Sequence, residues 1–402
     1  MKKASSLLVG LMLVLSIVPV ALANTPTTGG GVGITIDTED FVPLIWMDPD
    51  SRIVYRNPAD GGLELIERVA NYAFEGEQIE WRVLVMDKNG IEKISDVYVT
   101  IGTTQGVGND IEANCDLTAD TDVDAFHATL DEELITAFDA DTMAIYLCTL
   151  TVETFNSMYS EYWVVAEVED LDGNQNTFDE NEYWFFNPVI ALSITGDIDF
   201  GTVRPGTHSY SDTLLVENDA DDGSGVLLDM TISGTDFYDP ASSGAKCPVS
   251  NRIRLNNGGT GHNYEQESSS AGDADPADNF IRSDQTNCLN GIYAGVDLGL
   301  ETTFDPFCYF ATNGAYSTAN DGARRDVEGY VGIPYETGDE ELRAPIISSD
   351  SGDTIDIGLM DWFAGNVLTP GDEIAITFRL TLPEPCNGDF SDGQLFFWGT
   401  AI

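Results

Sequence analysis

The sequence predicts an all-β protein built as two tandem β-sandwich domains, the second carrying a long loop insertion. Three observations predict it. Apolar residues recur at every second position in short runs, which is the period of a half-buried strand. Clusters of Gly, Asn and Asp separate the runs, as turns require. No long stretch repeats its apolar residues with helical period.

The chain opens on Met1-Lys2-Lys3, an apolar run from Leu7 to Val20, and Ala21-Leu22-Ala23. A basic start, an apolar centre and a small-x-small end define an export signal, so residues 1–23 are expected to be removed. An uncleaved anchor helix is the alternative, but the apolar run is short for a membrane span. No cysteine follows the cut to carry a lipid, and no second apolar run of membrane length follows. The expected location is extracellular, at the cell surface, with no membrane insertion after cleavage.

Residues 24–39 read as a flexible arm, rich in Thr and Gly at its start. Residues 40–187 read as the first sandwich. There Ile79, Trp81, Val83 and Val85 alternate against Glu80 and Arg82, and Asp87-Lys88-Asn89-Gly90 follows. Asn-Gly favours a two-residue hairpin turn, so the run with Val97, Val99 and Ile101 is the expected partner strand. Further alternating runs are Ala144–Glu153 and Tyr162–Glu169, the turn at 170–174 leads toward the aromatic run Tyr183–Phe186, and a short helix is expected near 131–138. Asn187-Pro188 marks the seam, and residues 188–402 read as the second sandwich. Its clearest strand places Ile374, Ile376, Phe378, Leu380 and Leu382 on one face. Residues from about 234 to 326 are long and polar, and read as a surface insertion.

Six cysteines in an exported chain point to disulfides, with buried free thiols as the alternative. The favoured pairs are Cys115–Cys148, Cys288–Cys308 and Cys247–Cys386. No Cys-x-x-Cys spacing supports a zinc ribbon or redox motif.

The charge balance excludes whole classes of partner. Asp and Glu number 69 against 17 Lys and Arg, a net charge of −52, and such a surface repels nucleic acid and anionic lipid. The 42% hydrophobic and 10% aromatic content is too high for an acidic disordered chain. The folded surface therefore needs cations around it, as bulk salt or as bound calcium.

No catalytic signature is present: no His-Glu-x-x-His, no Gly-x-Ser-x-Gly and no phosphate-binding glycine loop. His127, His208 and His262 stand alone in sequence, and Asp350-Ser351-Gly352 reads as a turn. The chain is read as a non-enzyme. Calcium is the candidate cofactor, because it takes several oxygen ligands from flexible loops. Asp120, Asp122, Asp124 and Asp131 fall at positions 1, 3, 5 and 12 of such a loop, although Ala125 stands where glycine is usual. Asp170, Asp172 and Asn174 form a second candidate, Asp219, Asp221 and Asp222 a third, and Asp273, Asp275 and Asp278 a fourth. Each also reads as a solvated acidic turn. The six tryptophans, Trp46, Trp81, Trp163, Trp184, Trp362 and Trp398, read as core or interface residues rather than a sugar platform.

One stretch carries a resemblance. Phe200-Gly201-Thr202-Val203-Arg204-Pro205-Gly206, then Thr213-Leu214-Leu215-Val216 and Asn218, resembles the opening of ASH/Hydin-like immunoglobulin domains. It spans about twenty residues. More loosely, the mature chain resembles the secreted Ig-like proteins of archaea that form S-layers and extracellular filaments. The resemblance implies immunoglobulin-like sandwiches and a structural or adhesive role, and carries over no catalytic residue. The expected partner is a second copy of the chain, met through sheet edges, with Gly33–Asp37 as a donated strand. The alternative is an adhesin that holds glycan or another surface protein with the 234–326 insertion.

Overall fold

The computed structural model describes residues 35–48, 53–55, 65–68, 70–106, 109–126, 135–179, 183–241, 252–253, 255, 307–321, 325–326, 328–334, 343–348, 354–357, 360–382 and 386–402. Residues 1–41 and 42–402 form two separate units. Of the first, residues 35–41 carry no secondary structure and Ile36 is 79% exposed. The signal segment and Gly33–Ile34 of the proposed donor strand lie outside the described residues. The second unit is all-β, and no helix among the described residues is long and apolar enough to cross a membrane.

Its N-terminal half is one eleven-stranded sheet. The order is Leu65–Glu67, Ile53–Tyr55, Gln78–Met86, Met143–Thr151, Ile111–Leu117, Ile94–Gly102, Ser160–Asp170, Tyr183–Phe186 and Tyr72–Ala73. Leu44–Met47 pairs with Gln78–Met86, and Gln175–Phe178 with Ser160–Asp170. The sheet curls so that Ile79, Trp81, Val83 and Val85 share one core with Val99, Ile101, Val164, Ala166 and Trp184. Trp81 meets Trp184 edge to face, with centroids 5.8 Å apart.

Alternation predicts which face of Gln78–Met86 is buried, but Leu84 and Met86 on the opposite face are buried too. They meet Trp46, Ile145, Val123, Phe126 and Ile135 in a second, smaller cluster. The segment after Leu117 folds back over this face, so the end of the strand is covered on both sides. The expected helix near 131–138 is absent from the described part, residues 135–138, while Asp124–Phe126 forms a single 3-10 turn.

The hairpin at Asn89-Gly90 is also absent. Gln78–Met86 pairs with Met143–Thr151, whereas Ile94–Gly102 pairs with Ser160–Asp170 and Ile111–Leu117. Asp87 Oδ1 accepts the Asn89 amide and the Asp87 carbonyl accepts the Gly90 amide. Gly90 then takes φ +121° and a 3-10 turn over Ile91–Lys93 carries the chain across the core. The two runs face one interior from opposite layers, which a two-residue turn is too short to span.

The C-terminal half packs two sheets face to face. One has the order Leu192–Thr195, His208–Asn218, Glu373–Thr381, Phe307–Asn313 and Tyr316–Ser317, with Val331–Gly332 also on Phe307–Asn313. The other centres on Leu228–Gly234, flanked by Leu395–Ala401 on one side and by Ala344–Pro345 and Val367–Leu368 on the other. Leu214, Val216, Ile374, Ile376, Phe378, Tyr309 and Ala311 meet Leu228, Met230 and Ile232 in the core. The segment read as an insertion therefore contains an interior strand, Phe307–Asn313, seated against Glu373–Thr381. Its alternating Phe307, Tyr309 and Ala311 are buried like any core strand. Most of 242–306 lies outside the described residues.

Cys115 and Cys148 stand opposite each other on neighbouring strands and form a disulfide. Cys308 and Cys386 are disulfide-bonded as well. Cys247 and Cys288, their expected partners, lie outside the described residues.

The halves meet at Asn187, buried and left-handed at φ 51°. That conformation suits Asn better than most residues, and here its side-chain amide donates to the Glu153 and Met158 carbonyls at 2.9 and 2.6 Å. Tyr72 and Phe185 of the first half pack into the core of the second. The Tyr72 hydroxyl donates to the main-chain oxygen of Ile402. At the stretch that resembles ASH/Hydin-like domains, Gly201 and Gly206 both have positive φ and lead into the strand His208–Asn218.

Candidate functional site

Asp120, Asp122 and Asp124 lie exposed on the segment that covers the outer face of Gln78–Met86, anchored by buried Val123 and Phe126. Asp120 Oδ1 accepts the amides of Thr121 and Asp122, at 2.7 and 3.1 Å, and Asp122 Oδ1 accepts the Asp124 amide at 3.1 Å. Arg82 joins this segment to the body: it pairs with Asp48 at 3.0 Å and with Asp120, and lies over the Phe126 ring. Desolvation pushes the Asp120 carboxyl upward, but the neighbouring amides and Arg82 outweigh it and hold the group below its usual range. Asp131 and His127 lie outside the described residues.

Asp170, Asp172 and Asn174 form the turn between Ser160–Asp170 and Gln175–Phe178. Asp170 is buried and its carboxylate organises the turn. Oδ1 accepts the amides of Asp172 and Asn174 at 2.9 and 2.7 Å, and Oδ2 accepts the Asn174 side chain at 2.8 Å. Desolvation opposes ionisation there, yet these donors hold the carboxyl below the ordinary range. Asp172 pairs with Lys93 at 3.1 Å. A cation at either turn competes with Arg82 or Lys93 and with the turn's own amides.

The third group has a structural role at the seam. Asp221 Oδ2 accepts the Val189 amide at 2.8 Å and the Tyr159 hydroxyl at 3.2 Å, so one carboxylate ties the two halves together. Asp219 and Asp222 are exposed beside it. Asp273, Asp275 and Asp278 lie outside the described residues. Within 42–402, no three described His, Cys, Asp or Glu side chains converge at metal-binding distance.

Sequence reasoning missed two polar groups in the second half, Arg379, which is buried, and Asp229, which is half-buried. Arg379 is 1% exposed and donates to Asp326 at 2.5 Å and to Glu328 at 2.7 Å, with the Tyr330 ring 4.3 Å from its guanidinium carbon. In the sequence it is one arginine in an alternating strand, and nothing local marks it. Asp229 lies on the outer face of Leu228–Gly234 and accepts the Asn366 side chain at 2.6 Å. Burial pushes its carboxyl up to about 6, although Asn366 and Arg343 both favour the ionised form. Of the tryptophans, Trp46, Trp81 and Trp184 are core residues.

The sheet edges are the remaining feature. Among the described residues, Leu192–Thr195 pairs only with His208–Asn218, and Leu395–Ala401 only with Leu228–Gly234. The two edges flank the same side of the sandwich: a methyl added at Gly399 would touch Leu192 Cδ2 at 3.4 Å. Residues 183–196 and 393–402, which contain these strands, hold no charged side chain.

No family model and no curated protein matches the chain. Among solved structures it is similar to a DUF4785 family protein from Legionella pneumophila, at 7% identity and TM-score 0.18. That match covers 43% of this chain and 38% of the Legionella protein. It is similar to the C-terminal domain of the AgI/II polypeptide BspA of Streptococcus agalactiae, at 9% identity over 87% of this chain and 96% of that one, TM-score 0.23. It is similar to the sialic acid binding region of a Streptococcus sanguinis adhesin, at 11% identity over 90% and 78%, TM-score 0.19. Likenesses at these scores carry no argument about what this chain does.

Proposed function

We propose that this chain is a non-catalytic structural protein of the cell exterior, a subunit that assembles with copies of itself into an S-layer or extracellular filament. The supporting observation is that two uncharged strands on one side of the C-terminal sandwich, Leu192–Thr195 and Leu395–Ala401, each pair with a single strand among the described residues and so present an open edge there. Two bodies with a formal charge of −52 repel, and like charges placed opposite each other destabilise a strand pair. Contact between copies is least costly where neither side carries charge. Such an edge offers unpaired main-chain groups to an incoming strand, and natural proteins usually blunt it with charge or proline. Residues 24–36 are likewise uncharged, and Thr35 and Ile36 are exposed, which suits a donated strand. Calcium or bulk salt would screen the remaining surface.

Electron microscopy of the purified protein, with and without residues 24–37, tests this reading. The full mature chain forms ordered sheets or fibres, and the truncated chain stays dispersed with an unchanged melting temperature. Polymers that survive the deletion refute the donor role, and dispersed particles from the full chain at every salt level refute assembly.

A further inference from the structure

The outer face of the sheet containing His208–Asn218 carries a line of aromatic rings. His208 and Tyr210 have centroids 5.4 Å apart, Tyr210 and Tyr330 6.0 Å, and Tyr330 and Phe310 5.7 Å. Four rings from three separate segments thus form one continuous row. Phe310 lies on this face because its neighbours Tyr309 and Ala311 point into the core. Tyr210 stands directly opposite Arg379 in the strand register. Tyr210 is 45% exposed, and His208 is exposed as well.

The row is built, and does not arise from loose side chains. Arg379, buried beneath Tyr330, holds Asp326 and Glu328 and so fixes the segment that carries the ring. Gly329 makes this close seating possible. A Cβ there would meet Phe310 Cε2 at 2.8 Å and Ala319 Cα at 2.9 Å, and φ is +92°. Two threonine hydroxyls, Thr213 and Thr377, sit side by side at 3.4 Å on the sheet between His208–Asn218 and its neighbour.

We propose that this row of rings binds a neutral polysaccharide chain. The charge pattern decides the ligand class. Among the described residues, the arginine beneath the row, Arg379, is enclosed and already paired with two carboxylates, so it offers an anionic ligand little counter-charge. Glu328, half exposed, is itself paired with Arg379, so a cation gains little either. What the face offers is ring surface with hydroxyl groups at its margins. Tyrosine supplies large, rigid, amphipathic contact at low entropic cost. A sugar chain has matching apolar ring faces and hydroxyl rims, and a row of four rings fits several sugar units better than one. The site lies on a sheet face, apart from the open edges, and is independent of the assembly proposed above.

Native gel electrophoresis of the full mature chain, in gels containing mannan, xylan or β-1,3-glucan, tests the proposal, with hyaluronan as an anionic comparison. At least one neutral polysaccharide should retard the protein. Tyr210→Ala should weaken that retardation at least tenfold, Tyr210→Trp should preserve it, and Tyr183→Ala on the other half should leave it unchanged. Tyr210 is half exposed and supports no core contact, so circular dichroism of Tyr210→Ala should match the parent. Retardation by none of the three neutral polymers overturns the proposal. So does retardation by hyaluronan alone, or equal retardation of parent and Tyr210→Ala. Particles seen by microscopy report on assembly separately, so failure here leaves the edge-mediated reading standing.

Discussion

Replacing Asp229 with Asn should stabilise the protein at neutral pH and leave it almost unchanged in acid. Asp229 sits on the outer face of Leu228–Gly234, covered by the segment around Asn366, whose side chain donates to Asp229 Oδ1 at 2.6 Å. Burial raises its carboxyl from the ordinary aspartate value of 3.8 to about 6. A raised folded-state value means that the native protein holds the proton more tightly than the unfolded chain does. The associated stability is therefore fully present below about pH 4 and is lost as pH rises from there through about 6. At about 1.4 kcal/mol per pH unit between the ordinary aspartate value and about 6, the loss approaches about 3 kcal/mol, and the lowering effects of Asn366 and Arg343 are already contained in that value. Asn keeps the acceptor oxygen for Asn366 and cannot ionise. Urea denaturation of parent and variant at pH 4.0, 5.5 and 7.5 measures the difference between them, in which the other 68 acidic groups largely cancel. The gap should open from near zero at pH 4.0 to as much as about 3 kcal/mol in favour of Asn at pH 7.5. A gap that is constant with pH, or that favours Asp at pH 7.5, refutes the assignment of a raised carboxyl at Asp229.

Asp221→Ala should remove the tie between the halves made through Val189 and Tyr159. It should cost about 1–2 kcal/mol, and calorimetry should show a broader transition as the halves melt less cooperatively. An unchanged profile would mean that Asp221 contributes nothing to the seam. Arg379→Met strands Asp326 in a buried site and should cost about 3–5 kcal/mol, read as a large fall in melting temperature. A fall no larger than that of an exposed substitution would contradict this. If calcium is bound, a chelator at moderate salt should lower the melting temperature, since a ligand held only by the native state must stabilise it. No shift would leave bulk salt as the counter-cation.

Much of the strand pattern was legible because burial on one face writes period-two alternation directly into the chain. Ile79 to Val85 and Ile374 to Leu382 both show it. The Cys115–Cys148 pair was also legible, because six cysteines leave few pairings. Strand partners were not. Asn89-Gly90 has the composition of a hairpin turn, yet it leads into a crossover, because the next strand lies in the opposite layer. The interior strand Phe307–Asn313 was read as part of a polar insertion, because its seven residues are flanked by long polar stretches.

The sequence by itself determined that the chain is β-structured and strongly acidic, and that its exposed turns are built from Asp, Asn and Gly. Those properties depend on residue type and local spacing. Only the tertiary structure decided what the acids do: Asp170 folds its own turn, Asp221 ties two halves, Asp326 neutralises a buried arginine and Asp229 keeps its proton up to about pH 6. It also decided that His208, Tyr210, Phe310 and Tyr330 form one row. The physical reason is the same in each case. Charge state and contact depend on burial and on neighbours distant in sequence, and long-range strand pairing sets both.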